Sequence, residues 1–156
     1  MTDDEPSTGI LTQAGNAEEA GMSSDTKRIL IVQAHDAARD ILGALLVQAG
    51  YTVQGTRNGR EAREEMQRNQ FDVVVTDCDM PYFNGRELLA FSRIAWPHIP
   101  VIILSEEPAE PSDDVHALGA YAWIVKPYDT WLLLETIRDA SHVAARKRRS
   151  ELLSPT

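Results

Sequence analysis

The sequence predicts an α/β fold, a doubly wound five-stranded parallel sheet with five helices in a single domain. Three observations predict it. Short aliphatic runs such as RILIV (28–32) and VIIL (101–104) are continuous rather than alternating, as strands buried on both faces require. Segments with apolar positions at helical spacing lie between them. Strand and helix alternate along the chain, and parallel strands need crossover connections whose fixed hand lays helices on both faces of the sheet. With 156 residues and 43% hydrophobic content, the chain has enough apolar mass for one domain with a sizeable core.

The elements follow in order. RILIV is the first strand. The segment DAARDILGALLVQAG at 36–50 sets Ile41, Leu42, Leu45 and Leu46 at helical spacing, ends at Gly50, and carries Asp36 where a helix N-cap is expected. Residues 51–55 read as the second strand, Asn58-Gly59 as a turn, and 60–69 as a charged helix with Ala62 and Met66 on its inner face. The third strand spans 71–76. Asn84-Gly85 opens a helix over 86–94, residues 100–104 form the fourth strand, 112–118 a shorter helix, 121–125 the fifth strand, and 130–148 the last helix.

Charge divides the chain differently. The net charge is −9, and residues 1–26 hold Asp3, Asp4, Glu5, Glu18, Glu19 and Asp25 with no Lys or Arg. The remaining eighteen acids face fifteen basic residues, a balance of −3. Three regions are expected: a disordered acidic tail at 1–26, the folded domain at 27–140, and a basic helix end with a C-terminal tail at 141–156. The run Arg146-Lys147-Arg148-Arg149 is read as the last turn of the helix, complementing its dipole, in preference to a nucleic-acid or membrane patch. No apolar run reaches the roughly 18–20 residues of a membrane span, and the N-terminus lacks a signal-peptide pattern, so a cytoplasmic protein without membrane contact is expected. Cys78, the sole cysteine, excludes an internal disulfide and a Cys-based metal site.

In a sheet of this kind ligands bind beyond the carboxyl ends of the strands. VVVTDCDMP (73–81) ends in Asp77 and Asp79, the fourth strand in Ser105, and the fifth in Lys126-Pro127. A carboxylate, a hydroxyl and an ammonium thus converge on one edge. With VVVTDCDMPYFNGRELL around Asp77, PVIILSEE around Ser105 and WIVKPYD around Lys126, residues 27 to about 140 resemble the receiver domain of bacterial two-component response regulators. The resemblance implies that Asp77 accepts a phosphoryl group from a histidine kinase, a phosphotransfer protein or a small phosphodonor. It further implies that Ser105 and Lys126 bind the phosphoryl oxygens, and that Trp123 is the aromatic side chain reporting the switch. Output would pass by protein contact to a downstream protein, through a face that includes Trp123, Tyr128 and Trp131. The domain itself is not expected to be an enzyme. With about ten residues after the last helix, direct DNA binding is not expected either.

Each residue also has a plainer reading. Ser105 can cap the turn after its strand, Lys126 can be a surface lysine, Asp79 a turn residue and Trp123 a packing residue. Cys78 points opposite to Asp77 by strand alternation and is read as packing. His35, His98, His116 and His142 show no ligand spacing.

Two departures from the family pattern stand out. Receivers follow the first strand with two adjacent acids that bind a divalent cation, whereas Gln33 and Ala34 occupy those positions here. That leaves Asp77 and Asp79 as the remaining metal-site positions, and Mg²⁺ as a doubtful cofactor. Glu106, where the family has a small residue, places a long acid beside the switch hydroxyl and is expected to screen the site and repel an anionic donor. Three function classes follow. They are a receiver phosphorylated weakly or atypically on Asp77, a receiver-shaped interaction module that works without phosphorylation, and a hydrolase built on Asp77, Ser105 and Lys126. The hydrolase is disfavoured, because the chain has no nucleophile elbow and no phosphate-cradling glycine loop.

Overall fold

The computed structural model describes residues 26–80, 82–109 and 119–153. Its elements run β1 (Arg28–Val32), α1 (Asp36–Gln48), β2 (Thr52–Thr56), α2 (Gly59–Arg68), β3 (Val73–Asp77), α3 (Gly85–Ala95), β4 (Val101–Ser105), β5 (Ala122–Val125) and α4 (Thr130–Leu153). All strand pairs are parallel, and the sheet order is β2-β1-β3-β4-β5. The order reverses at β1 and β3, whose carboxyl ends flank the crevice where such sheets bind ligands.

Strand alternation sorts the core into two clusters. Ile29 and Ile31 of β1, Val73 and Val75 of β3, and Ile102 and Leu104 of β4 face α1 and α4, where Leu42, Leu46, Leu133, Ile137 and Ala140 meet them. Leu30, Val32, Val74, Val101 and Ile103 face the other way, onto Ala62, Met66, Leu88 and Leu89 of α2 and α3. Leu30, Val74, Ile102 and Leu88 are fully buried, and each such side chain contributes about 1.5–3 kcal/mol of transfer free energy. The continuous rather than alternating strand sequences follow from this two-sided burial.

The helix starts show how local sequence sets register. Asn58 caps α2 by accepting from Glu61 N at 2.9 Å. Asn84 caps α3 in a capping box, accepting from Glu87 N at 3.0 Å while the Glu87 carboxylate accepts from Asn84 N at 2.8 Å. Gly85, the next residue, approaches the β3 backbone so closely that a β-carbon there would collide with the Asp77 carbonyl oxygen. Only glycine fits, and α3 is thereby seated directly on the end of β3.

Several expectations need correction. The N-cap of α1 is His35, which makes no side-chain cap bond. Asp36 is the first helical residue, where its charge suits the helix dipole and its carboxylate pairs with Arg39 at 2.5 Å. β3 begins at Val73 because Asp72 is used before the ladder: its N–H donates to the Arg28 carbonyl and its carboxylate accepts from Arg28 N, both at 2.8 Å. β3 and β4 extend one residue further than expected, to include Asp77 and Ser105. α4 continues to Leu153, so Arg146 and Lys147 lie inside the helix and its last turn contains no basic residue. The helix expected at 112–118 and all but the last residue of the tail expected at 1–26 lie outside the described residues. Among the described residues, no helix is long and apolar enough to cross a membrane.

Candidate functional site

Backbone hydrogen bonds hold three strand ends at fixed offsets. Cys78 N donates to the Leu104 carbonyl at 2.8 Å, and Lys126 N to the Ser105 carbonyl at 2.7 Å. Asp77, Ser105 and Lys126 are therefore brought to one edge, as the spacing predicts. Asp77 and Ser105 are only 7% and 5% exposed. The Lys126 ammonium is in direct ion-pair contact with Asp77 Oδ1. On its outer side the same ammonium lies 3.7 Å from Glu106 Oε2. Lys126 thus serves a buried and an exposed carboxylate at once.

Ser105 does what its plainer reading says: its hydroxyl oxygen accepts from Glu107 N at 3.2 Å, closing the turn after β4. The Glu107 carbonyl in turn accepts the Trp123 indole N–H at 3.1 Å. Arg86, one residue past the glycine that seats α3, lies over the Trp123 ring at 4.9 Å from its centroid. Neither contact was legible in the sequence, because each joins residues far apart in the chain without a spacing rule. Cys78 packs in the cluster under α2 and α3, as expected, and burial raises its thiol pKa above the ordinary range, with Asp79 adding to the rise while Arg86 and Ser105 pull it down.

The three aromatics of the expected contact face differ in setting. Trp123 packs against the α2 and α3 cluster, Tyr128 against the α1 and α4 cluster, and Trp131 is 69% exposed on α4. Tyr128 is half-buried within electrostatic range of the site. Burial raises its phenol pKa, Lys126 lowers it and Asp77 raises it.

A hard divalent cation takes several oxygen ligands at close range. Gln33 is buried with its Oε1 accepting from His35 N at 3.1 Å, and Ala34 offers no donor side chain. Asp79 is exposed, and Asp77 Oδ1 is in contact with Lys126. Among the described residues, no group of three or more His, Cys, Asp or Glu side chains is placed to hold a metal. This donor set does not fit a resident divalent ion.

A five-stranded parallel sheet with a buried Asp, a hydroxyl and a lysine converging on its carboxyl edge defines the class of receiver-like signalling domains. The chain belongs to the response regulator receiver domain family, whose sequence profile matches residues 29–138. It is 27% identical over 125 residues to the response regulator protein FleR of Pseudomonas aeruginosa, covering 80% of this chain and 26% of that one. It is 31% identical over 126 residues to the transcriptional regulatory protein GlrR of Escherichia coli, covering 80% and 28%. The chain thus spans about a quarter of the length of these relatives. Among solved structures, the chemotaxis response regulator CheY4 of Vibrio cholerae superposes with a TM-score of 0.67 at 30% identity, over 74% of this chain and 98% of that one.

Proposed function

We propose that this receiver is an atypical phosphorylation switch in which Asp77 accepts a phosphoryl group from a histidine kinase or phosphotransfer protein and the signal leaves by protein–protein contact. The observation that carries the reading is the buried Asp77 carboxylate with the Lys126 ammonium on Oδ1 and the Ser105 hydroxyl ending the adjacent strand. The Asp77 carboxylate attacks phosphorus, an acyl phosphate forms, and the donor's leaving group departs with the bonding electrons. Lys126 and the Ser105 hydroxyl donate to the phosphoryl oxygens, where charge accumulates during transfer.

The switch follows from bonds already present. When Ser105 turns toward the phosphoryl group, its oxygen leaves Glu107 N, and the Glu107 carbonyl that fixes the Trp123 indole moves with the loop. Trp123 then exchanges packing partners, which is a difference in contacts between two states and hence a bias on binding at this surface.

A second reading, a receiver-shaped interaction module that works without phosphorylation, is favoured by one observation: neither Gln33 nor Ala34 supplies a carboxylate, so no cation pocket balances an arriving phosphate. Fluorine NMR of the chain labelled with fluorotryptophan separates the two, with the Trp123 resonance assigned by Trp123→Phe. The switch predicts that incubation with phosphoramidate moves the Trp123 signal in the wild type and leaves it unmoved in Asp77→Asn and Ser105→Ala. The alternative predicts unchanged spectra in all three.

A further inference from the structure

Lys126 joins two carboxylates of unlike setting. Asp77 is buried, while the Glu106 side chain is 72% exposed and holds the outer side of the same ammonium, whose own side chain is 21% exposed. An exposed Glu–Lys contact at this distance is ordinarily a weak surface pair with little effect on stability. Here the lysine is largely buried and already committed to the carboxylate beneath it. The charge of Glu106 therefore acts on whatever else approaches Lys126.

We propose that Glu106 gates Asp77 by charge, competing with the arriving phosphoryl group for Lys126 and so selecting against small, doubly charged phosphodonors. This rests on the reading of Asp77 as the phosphoacceptor, and it adds a donor preference to that reading. Glu106 Oε2 lies 3.7 Å from the ammonium that would donate to the phosphoryl oxygens, so an arriving phosphoryl group meets its charge. Gln33 and Ala34 bring no cation to offset the added negative charge. The repulsion is linear in the donor's charge, so a dianion is disfavoured about twice as strongly, in free energy, as a monoanion.

Acetyl phosphate and phosphoramidate distinguish this from bulk. With acetyl phosphate, a dianion near neutral pH, an Asp77 oxygen bonds to phosphorus while the P–O bond to acetate breaks and acetate leaves with the electron pair. With phosphoramidate, a monoanion whose nitrogen is protonated, the P–N bond breaks and ammonia leaves. The experiment measures the rate of acyl phosphate formation on the full chain by intact mass, under one buffer composition, for the wild type, Glu106→Gln and Glu106→Ala.

Glu106→Gln keeps the shape and removes the charge. It should raise the acetyl phosphate rate about fivefold and the phosphoramidate rate only about twofold. Both gains should shrink at about 0.5 M salt, where screening shortens to a few ångströms. Glu106→Ala should match Glu106→Gln. Equal gains with the two donors, or a gain confined to Glu106→Ala, overturns the gate and leaves the Asp77 reading standing. Absence of acyl phosphate on every protein with both donors overturns the Asp77 reading and the gate together.

Discussion

At the scale of single residues, Lys126 and the pair Gln33-Ala34 set the charge around Asp77. The lysine supplies a fixed positive charge against Asp77, and the two uncharged residues withhold the carboxylates that would recruit a second, divalent one. Substituting Gln33→Asp together with Ala34→Asp is the direct test of that trade. The double variant should bind Mg²⁺ at least about tenfold more tightly than the wild type, because two carboxylates join Asp77 at one rim. It should also be phosphorylated faster, and be less stable without the metal, because three acids then repel one another. Isothermal titration with Mg²⁺, a melting curve with and without the ion, and intact mass after incubation with a phosphodonor measure the three effects. Tight Mg²⁺ binding by the wild type would contradict the account of the donor set.

At the scale of elements, α3 is the part whose local sequence most directly fixes the site. Its capping box satisfies otherwise orphaned N–H groups, and Gly85 lets the first turn rest on the Asp77 carbonyl. Asn84→Ala should cost about 1 kcal/mol in urea denaturation, since both halves of the reciprocal bond depend on this residue's geometry. An unchanged midpoint would show that the box is incidental. The helix start at Asn84-Gly85 is legible in the sequence, as are the strand–helix alternation, the inward face of α2 and the three strand ends that converge on the site. The end of α4 was less legible, because a basic run such as Arg146 to Arg149 suits a last turn as well as it suits an interior turn. Asp36 was misplaced for a similar reason: N-cap and first-turn positions both favour aspartate, and only the backbone angles of His35 separate them. The links from Glu107 to Trp123 and from Arg86 to Trp123 had no sequence signal, since they depend on how segments from different strands and helices meet.

At the scale of the whole molecule, a rigid sheet buried on both faces carries a small polar edge, and the two core clusters keep the three functional strand ends in register. Asp77 and Cys78 lie on opposite faces, so the acid reaches the rim while the thiol stays in the core. Ser105 and Trp123 share a sheet face, so in the proposed switch a shift of the hydroxyl would reach the packing of the aromatic. In the proposed reading this edge still performs phosphoryl transfer although Gln33 and Ala34 replace the acid pair. Intact-protein mass spectrometry after incubation with phosphoramidate and Mg²⁺, followed by peptide mapping, tests it most directly. The account predicts a single added phosphoryl group on the wild type, located at Asp77 and absent from Asp77→Asn. A wild-type mass unchanged under conditions that phosphorylate the Gln33→Asp, Ala34→Asp variant, or an added group that persists in Asp77→Asn, would contradict it.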